Sequence, residues 1–408
     1  MRRAILAGAA FVAAGCVAPY SRIPVPMRMQ TLPTLTRTPP SDAGMRSDLN
    51  ATLDSLMTTA IAEKAAPGGS LAVGRYGRIV HIKGYGRLDT AATSALVDEN
   101  SIYDMASLTK VIATTTAAMI LEEQGLLDLD RTVASYLPGF NAPDKAAITV
   151  RMLIEHKGGL EAFAALYRDT KGREEYLTKI NARPARSVPG TSTVYSDWDL
   201  ILMQLIIEGL TGQTLDRFTT EKIFAPLGMT STMFNPDSAA YWQRVAPTEI
   251  DSVRGGLVVG KVHDENANAM GGVAGHAGLF SSLCDLTVFA QMLLNGGEYN
   301  GVRIVKPETI ARWTVPQSRT SSRALGWDTP SKGSSSGRHF SSRSFGHTGF
   351  TGTSIWIDPE RGLFVILLTN RVNPSRDNQR HVPLRRAVAD AAQAAIVDAP
   401  LINWEASR

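Results

Sequence analysis

Leu49, Leu53, Leu56, Met57 and Ile61 recur at the spacing that gathers side chains on one face of a helix. Asp48 or Asn50 stands where an N-cap belongs, and Pro67-Gly68-Gly69 ends the pattern. Two short apolar runs follow, Leu71 to Gly74 and Ile79 to Gly84, on either side of Arg75-Tyr76-Gly77-Arg78, which predicts a hairpin. A similar arrangement lies near the other end. Thr353 to Ile357 and Leu363 to Leu368 flank the turn Asp358-Pro359-Glu360-Arg361-Gly362, and a helix is predicted from about Leu384 to Ile396. Between these ends, Val111 to Leu121, Trp198 to Leu210 and Leu286 to Leu294 carry helical patterning, separated by Gly and Pro. No repeat at solenoid periods and no heptad run is present. Strands at both ends and helices between them predict an α/β (α+β) fold. One sheet is built from both termini, about 46–105 and 300–398, under terminal helices, with a mostly helical insertion at about 120–290. A cleft is expected where the two parts meet.

Composition narrows the class. Of 408 residues, 44% are hydrophobic and 20% charged, which excludes a disordered, collagen-like or small disulfide-stapled chain. The net charge is only +4, with Arg2 and Arg3 at the extreme N-terminus and no Lys/Arg cluster to track a phosphate backbone, so no nucleic-acid partner is expected. Met1-Arg2-Arg3, an apolar run from Ala4 to Ala14 and small residues read as a signal peptide over 1–15. Ala13-Ala14-Gly15 before Cys16 resembles a bacterial lipoprotein cleavage site. Ala13 stands where that pattern usually has Leu, so simple secretion is the alternative. Lipid on Cys16 would attach the protein to a membrane on the periplasmic side and leave Cys284 as a lone, small apolar residue. Residues 16–45, with Pro19, Pro24, Pro26, Pro33, Pro39 and Pro40, read as a stiff tether to a catalytic domain over 46–398.

Four local patterns could carry chemistry. Ser107-Leu108-Thr109-Lys110 opens an apolar helix that runs to a C-cap at Gly125, which puts Ser107 and Lys110 one turn apart on the same face. Lys110 can take or relay the hydroxyl proton if burial lowers its pKa. Gly333-Ser334-Ser335-Ser336-Gly337 has the form of a nucleophile elbow, but it lacks the strand before and helix after that such a motif needs. Tyr195-Ser196-Asp197 opens the helix of Trp198 and Leu200, with Tyr195 placed to face a cleft or to be a plain interface aromatic beside a capping Asp197. His347-Thr348-Gly349 precedes a strand and supplies a small-residue turn. His263, Asp264 and Glu265 with His276 match no zinc spacing, so neither metal nor cofactor is expected. Gly271 to Gly278 lacks a P-loop ending and reads as a loop lining the cleft.

In this order, Ser-x-x-Lys, Tyr-Ser-Asp and His-Thr-Gly resemble the serine β-lactamase and penicillin-binding-protein superfamily. The nearest likeness is its class C-like branch of β-lactamases, D-alanyl-D-alanine carboxypeptidases and family VIII carboxylesterases. The stretches Leu126 to Asp130, Leu153 to Leu160 around His156, Pro226 to Thr230 and Gly278 to Ser282 agree with it. The resemblance covers about Asp48 to Ala395 and implies an antiparallel sheet. It makes Ser107 the nucleophile, with Lys110 and Tyr195 as the proton-transfer pair. Asp197, His347, Thr348, Gly349 and Phe350 become substrate-binding residues, and the N–H groups of Ser107 and Phe350 become an oxyanion hole. His347 in place of Lys implies weak capture of carboxylate-bearing β-lactams, with Arg371 the one other candidate cation. Asp197 in place of Asn changes a donor into an acceptor. The implied activity is D-alanyl peptidase chemistry on peptidoglycan-derived peptides. A carboxylesterase, a weak β-lactamase and a non-catalytic penicillin- or muropeptide-binding protein are the alternatives.

Overall fold

The computed structural model describes residues 31–236 and 241–403; the signal-like segment and Cys16 lie outside them. In chain order the strands are β1 (Thr36–Arg37), β2 (Gly68–Arg75), β3 (Arg78–Gly86), β4 (Ile102–Asp104), β5 (Met233–Phe234), β6 (Ile250–Asp251), β7 (Gly256–Leu257), β8 (Leu279–Ser282), β9 (Glu298–Tyr299), β10 (Val302–Arg303), β11 (Phe345–Thr348), β12 (Ser354–Asp358) and β13 (Leu363–Thr369). The main sheet has the order β1-β3-β2-β13-β12-β11, so both ends of the chain build it, as the patterning predicts. All its pairings are antiparallel except β1 on β3. β2 and β13 are its centre, fully buried along their length, with Gly69 opposite Thr369 and Arg75 opposite Leu363.

One face of this sheet is covered by the N-terminal helix Leu49–Ala62 and the C-terminal helix His381–Ala394, which share a core with Leu71, Val73, Val365 and Leu367. The other face packs on the inserted part through Ala72, Phe364, Ile366 and Leu368. There the helices Thr116–Glu123, Asp197–Thr211 and Leu283–Leu294 lie close to the predicted runs. The Ser282 side chain caps the third by accepting the Asp285 N–H, as N-cap serines do. A small sheet, β4-β8-β5, that helical patterning does not predict joins the segment before Ser107 to the insertion.

Two expectations need correction. Residues 32–45 are part of the fold and not of a tether. Thr36 and Thr38 donate backbone N–H groups to Gly77 and Ile79, and Pro40 opens a 3-10 helix that ends in buried Ala43. Proline is compatible with an edge strand and with the first helical position, so a proline-rich run does not by itself exclude structure. His347 and Thr348 lie in a strand, β11, and not in the turn that follows it.

Candidate active site

β4 carries the chain to Ser107 through a strained step. Ala106 has φ +45°, a left-handed conformation that costs a non-glycine residue energy unless its surroundings hold it. Asp104 does so. Its Oδ1 accepts the Ala106 N–H at 2.8 Å and its Oδ2 the His263 N–H at 2.6 Å. Beyond Ser107 the helix begins with a π-type stretch, Lys110–Thr115, a widening frequent at functional sites. Lys110 Nζ donates to Ser107 Oγ at 3.0 Å, to Asp197 Oδ1 at 2.7 Å and to the His276 carbonyl at 3.1 Å. Burial opposes the charge of Lys110, but Asp197 and Tyr195 outweigh it and raise the pKa above the ordinary lysine range. The lowering by burial that would let Lys110 take the proton is thus opposed by its two neighbours. Spacing along one helix does not reveal a carboxylate that arrives on another.

That carboxylate opens the helix Asp197–Thr211. Ser196 takes the N-cap position, Asp197 is the first helical residue, and Tyr195 precedes both. Lys110 Nζ stands 4.8 Å from the Tyr195 ring centre and Arg323 Cζ stands 5.0 Å from it. The ring also lies 5.8 Å from that of His347. The structure thus brings Ser107, Lys110, Tyr195, Asp197 and His347 together.

The turn after β11 is braced against the nucleophile. Thr351 and Thr353 donate their hydroxyls to the carbonyls of Asp104 and Met105, at 2.7 and 3.2 Å. Gly349 allows this approach, because a Cβ there would stand 2.1 Å from Thr353 Oγ1 and 2.4 Å from the Met105 carbonyl oxygen. Among the described residues no acceptor takes the backbone N–H of Ser107 or of Phe350, whereas those of Ala106, Leu108, Thr109, Lys110, Gly349 and Gly352 are all used. Two idle donors beside a serine hydroxyl are what an oxyanion requires.

His347 Nδ1 faces the Thr348 carbonyl at 2.8 Å, which makes it the protonated nitrogen and leaves Nε2 toward Arg323 Nη1 at 3.4 Å. Burial, then Arg323 and Lys110, push its pKa well below the usual histidine value. His347 is thus neutral, but the site does not lack permanent positive charge. A cavity of about 400 Å³ is lined by Ser107, Tyr195, His347, Arg323, Arg371 and Arg385, among others. Among the described residues none of these arginines has a carboxylate partner. Arg371 and Arg385 are only 2% and 9% exposed and donate to the carbonyls of Phe350, Gly349 and Thr353. Burial, with Arg371 next, pulls the Arg385 pKa down to about 9, a sign of a cation without a counter-ion. Sequence reasoning named Arg371 and missed Arg323 and Arg385. Arg323 sits in a polar stretch with no pattern, and Arg385 lies within a predicted helix whose register to the cleft no motif reports.

A second cavity, about 310 Å³, lies across Phe350 and shares Ser107 and Tyr195. Phe163, Ala277, Asp264 and Glu265 line it. His276 and Ala277 come from the glycine loop, which lines the cleft as expected. Asp197, Asp264 and His276 bring ligand atoms within 4.8 Å of one another. Lys110 holds Asp197, and His276 Nε2 lies 2.9 Å from Asp264 Oδ1, so a metal would have to displace both partners. Ser335 accepts the Trp356 indole N–H at 3.1 Å and lies between neither strand nor helix, so its elbow-like motif lacks the geometry of one.

Residues 53–390 match the Beta-lactamase family model. A protein of Escherichia coli K12, named provisionally as a D-alanyl-D-alanine carboxypeptidase, is 33% identical over 387 residues, covering 86% of this chain and 88% of its own. The N-acetylmuramyl-L-alanine amidase of Bacillus subtilis is 34% identical over 345 residues, covering 75% and 77%. The crystal structure of a penicillin-binding-protein homologue from Caulobacter crescentus superposes with TM-score 0.68 at 19% identity, covering 86% and 99%. Sequence order, sheet topology and this match over most of the chain agree, and the protein belongs to the beta-lactamase family of serine hydrolases and penicillin-binding proteins.

Proposed function

We propose that the protein is a serine acyl-transfer hydrolase that removes a carboxylate-bearing leaving group, D-alanine, from peptidoglycan-derived peptides. The observation that carries this is the cavity beside Ser107, where Arg323, Arg371 and Arg385 outnumber the one carboxylate in the lining, Asp328, and suit a terminal carboxylate. In this reading Ser107 Oγ attacks the carbonyl carbon, and the N–H groups of Ser107 and Phe350 receive the oxyanion. Lys110, bonded to Asp197, donates to Ser107 Oγ and orients it. Tyr195, together with Lys110, relays the serine proton to the leaving amine as the C–N bond breaks. Water then attacks the acyl-enzyme by the same route in reverse, releasing the shortened peptide and restoring Ser107. An envelope location with lipid on Cys16 completes the reading, and mass spectrometry of the mature N-terminus tests it.

The Bacillus relative favours a second reading, in which the bond cut is the one between a muramyl lactyl group and L-alanine. A D-Ala-D-Ala peptide, an N-acetylmuramyl-L-alanyl peptide and a neutral p-nitrophenyl ester, assayed side by side, decide among the possibilities. Release of D-alanine is the expected result. Turnover of the muramyl substrate alone would establish the amidase, and turnover of the ester alone the esterase.

A further inference from the structure

His156 has φ +57° and is 1% exposed. A left-handed residue so buried is held there by its surroundings. Three contacts join it to Tyr195. Its carbonyl accepts the Val194 N–H at 2.8 Å, and its Nδ1 accepts the Ser196 N–H at 3.2 Å. Its ring lies 4.7 Å from the Tyr195 ring, tilted by 50°. One residue thus grips Tyr195 through both sequence neighbours and through its ring. Asp199 Oδ2 stands 3.1 Å from the same Nδ1. A nitrogen that accepts the Ser196 N–H presents a lone pair, and a lone pair facing a carboxylate oxygen is repulsive. The contact is favourable when Asp199 carries the proton.

The surroundings agree. Burial and then Asp197 push Asp199 well above the usual carboxylate range, against the pull of Lys110. Burial, then Arg323, Lys110 and His347, push His156 well below the usual histidine value. His156 Nε2 has no partner among the described residues, so the tautomer is read from Nδ1, which accepts the Ser196 N–H. Gly158 makes the room, since a Cβ there would stand 2.7 Å from Asp199 Oδ1.

We propose that His156 is the positioning residue of Tyr195, and that Asp199 serves it as an uncharged acid donating to Nδ1, not as half of an ion pair. The proposal rests on Tyr195 being the proton-transfer group.

Two measurements on the full chain test it. Nitrogen-15 histidine NMR should show His156 as the neutral Nε2–H tautomer from about pH 5 to 8, where an ordinary histidine titrates. The Asp199→Asn amide can make the same donation, whereas Asp199→Leu cannot. Asn should keep kcat for a neutral ester within about threefold, while Leu should lower it about tenfold or more with little change in KM. An imidazolium at His156, or an Asn variant as damaged as the Leu variant, overturns the uncharged pair. If Leu does not fold, the spectrum and the Asn variant still decide. Full ester turnover by Tyr195→Phe would overturn the positioning role together with the proton-transfer reading, and the spectrum would report on the pair separately.

Discussion

Ser107 and Ser335 sit in surroundings that predict opposite fates. Ser107 faces Lys110 across 3.0 Å beside two idle N–H donors, while Ser335 serves a tryptophan indole. A fluorophosphonate should label Ser107 alone; Ser107→Ala should abolish the label and Ser335→Ala should leave it. A labelled Ser335 peptide in the mass spectrum would refute the nucleophile assignment. At the cationic cavity, Arg323→Gln should lower kcat/KM for an ester with a carboxylate in its leaving group by about tenfold, relative to the matched neutral ester. Equal losses for both esters would mean that Arg323 supports the site without reading charge. The same pair of esters tests His347. Its pKa lies well below the usual value, so no step in kcat/KM near pH 6–7 should trace to it, and His347→Gln should leave the pH profile in that range unchanged.

Among the elements, the turn after β11 concentrates the most consequence in the fewest residues. Gly349→Ala forces a Cβ against Thr353 Oγ1 and the Met105 carbonyl, neither of which can retreat without moving the Phe350 N–H. Ser107 labelling should slow by about 10²-fold, the usual effect of losing one oxyanion donor, with a modest fall in Tm. Unchanged labelling would show that the Phe350 N–H is not one of the donors. This turn also shows how far the sequence could be read. Strands beside a glycine turn, β2, β3, β12 and β13, are found within a few residues of their prediction; in β2, β12 and β13 burial on both faces demands apolar runs, while β3 is only partly buried. β11 is not found, since Gly346, His347 and Thr348 offer neither an apolar run nor alternation. β1 is hidden by its prolines. In the site, Ser107, Lys110 and Tyr195 are legible because each sits in a short motif at a helix start. Arg323, Arg385 and Asp264 are not placed there by any motif, because only tertiary contact brings them to the cleft.

The whole molecule carries a pH dependence of stability. His81, His156, His347 and His381 all have lowered pKa values, His81 to about 4 and His381 to about 3, with burial the first cause in each. Between those values and the unfolded value near 6.5 the unfolded chain binds more protons, so stability falls as pH drops through this window. Asp104, Asp199 and Asp285, all raised with burial the first cause, act in the opposite direction, three groups against four. Tm should therefore decline from about pH 7 to 5, by an amount that corresponds to a few kcal/mol. A flat profile would show that these histidines are not neutral in the folded protein.

The pairing of Gly69 with Thr369 has a consequence in time. A ribosome adding roughly 5–20 residues per second needs on the order of 15–60 s to make the partner of β2 after β2 itself. Throughout that interval β2 exposes a hydrogen-bonding edge and the apolar face that packs on the insertion, a template for the wrong neighbour. Synthesis therefore passes through a long window in which the chain must be kept apart from its copies, and folding waits for the last quarter of the message. A chain ending at Ser344 should never leave that window and should accumulate as aggregate. A soluble, cooperatively melting product of that length would mean that the hairpin finds cover without β11, β12 and β13.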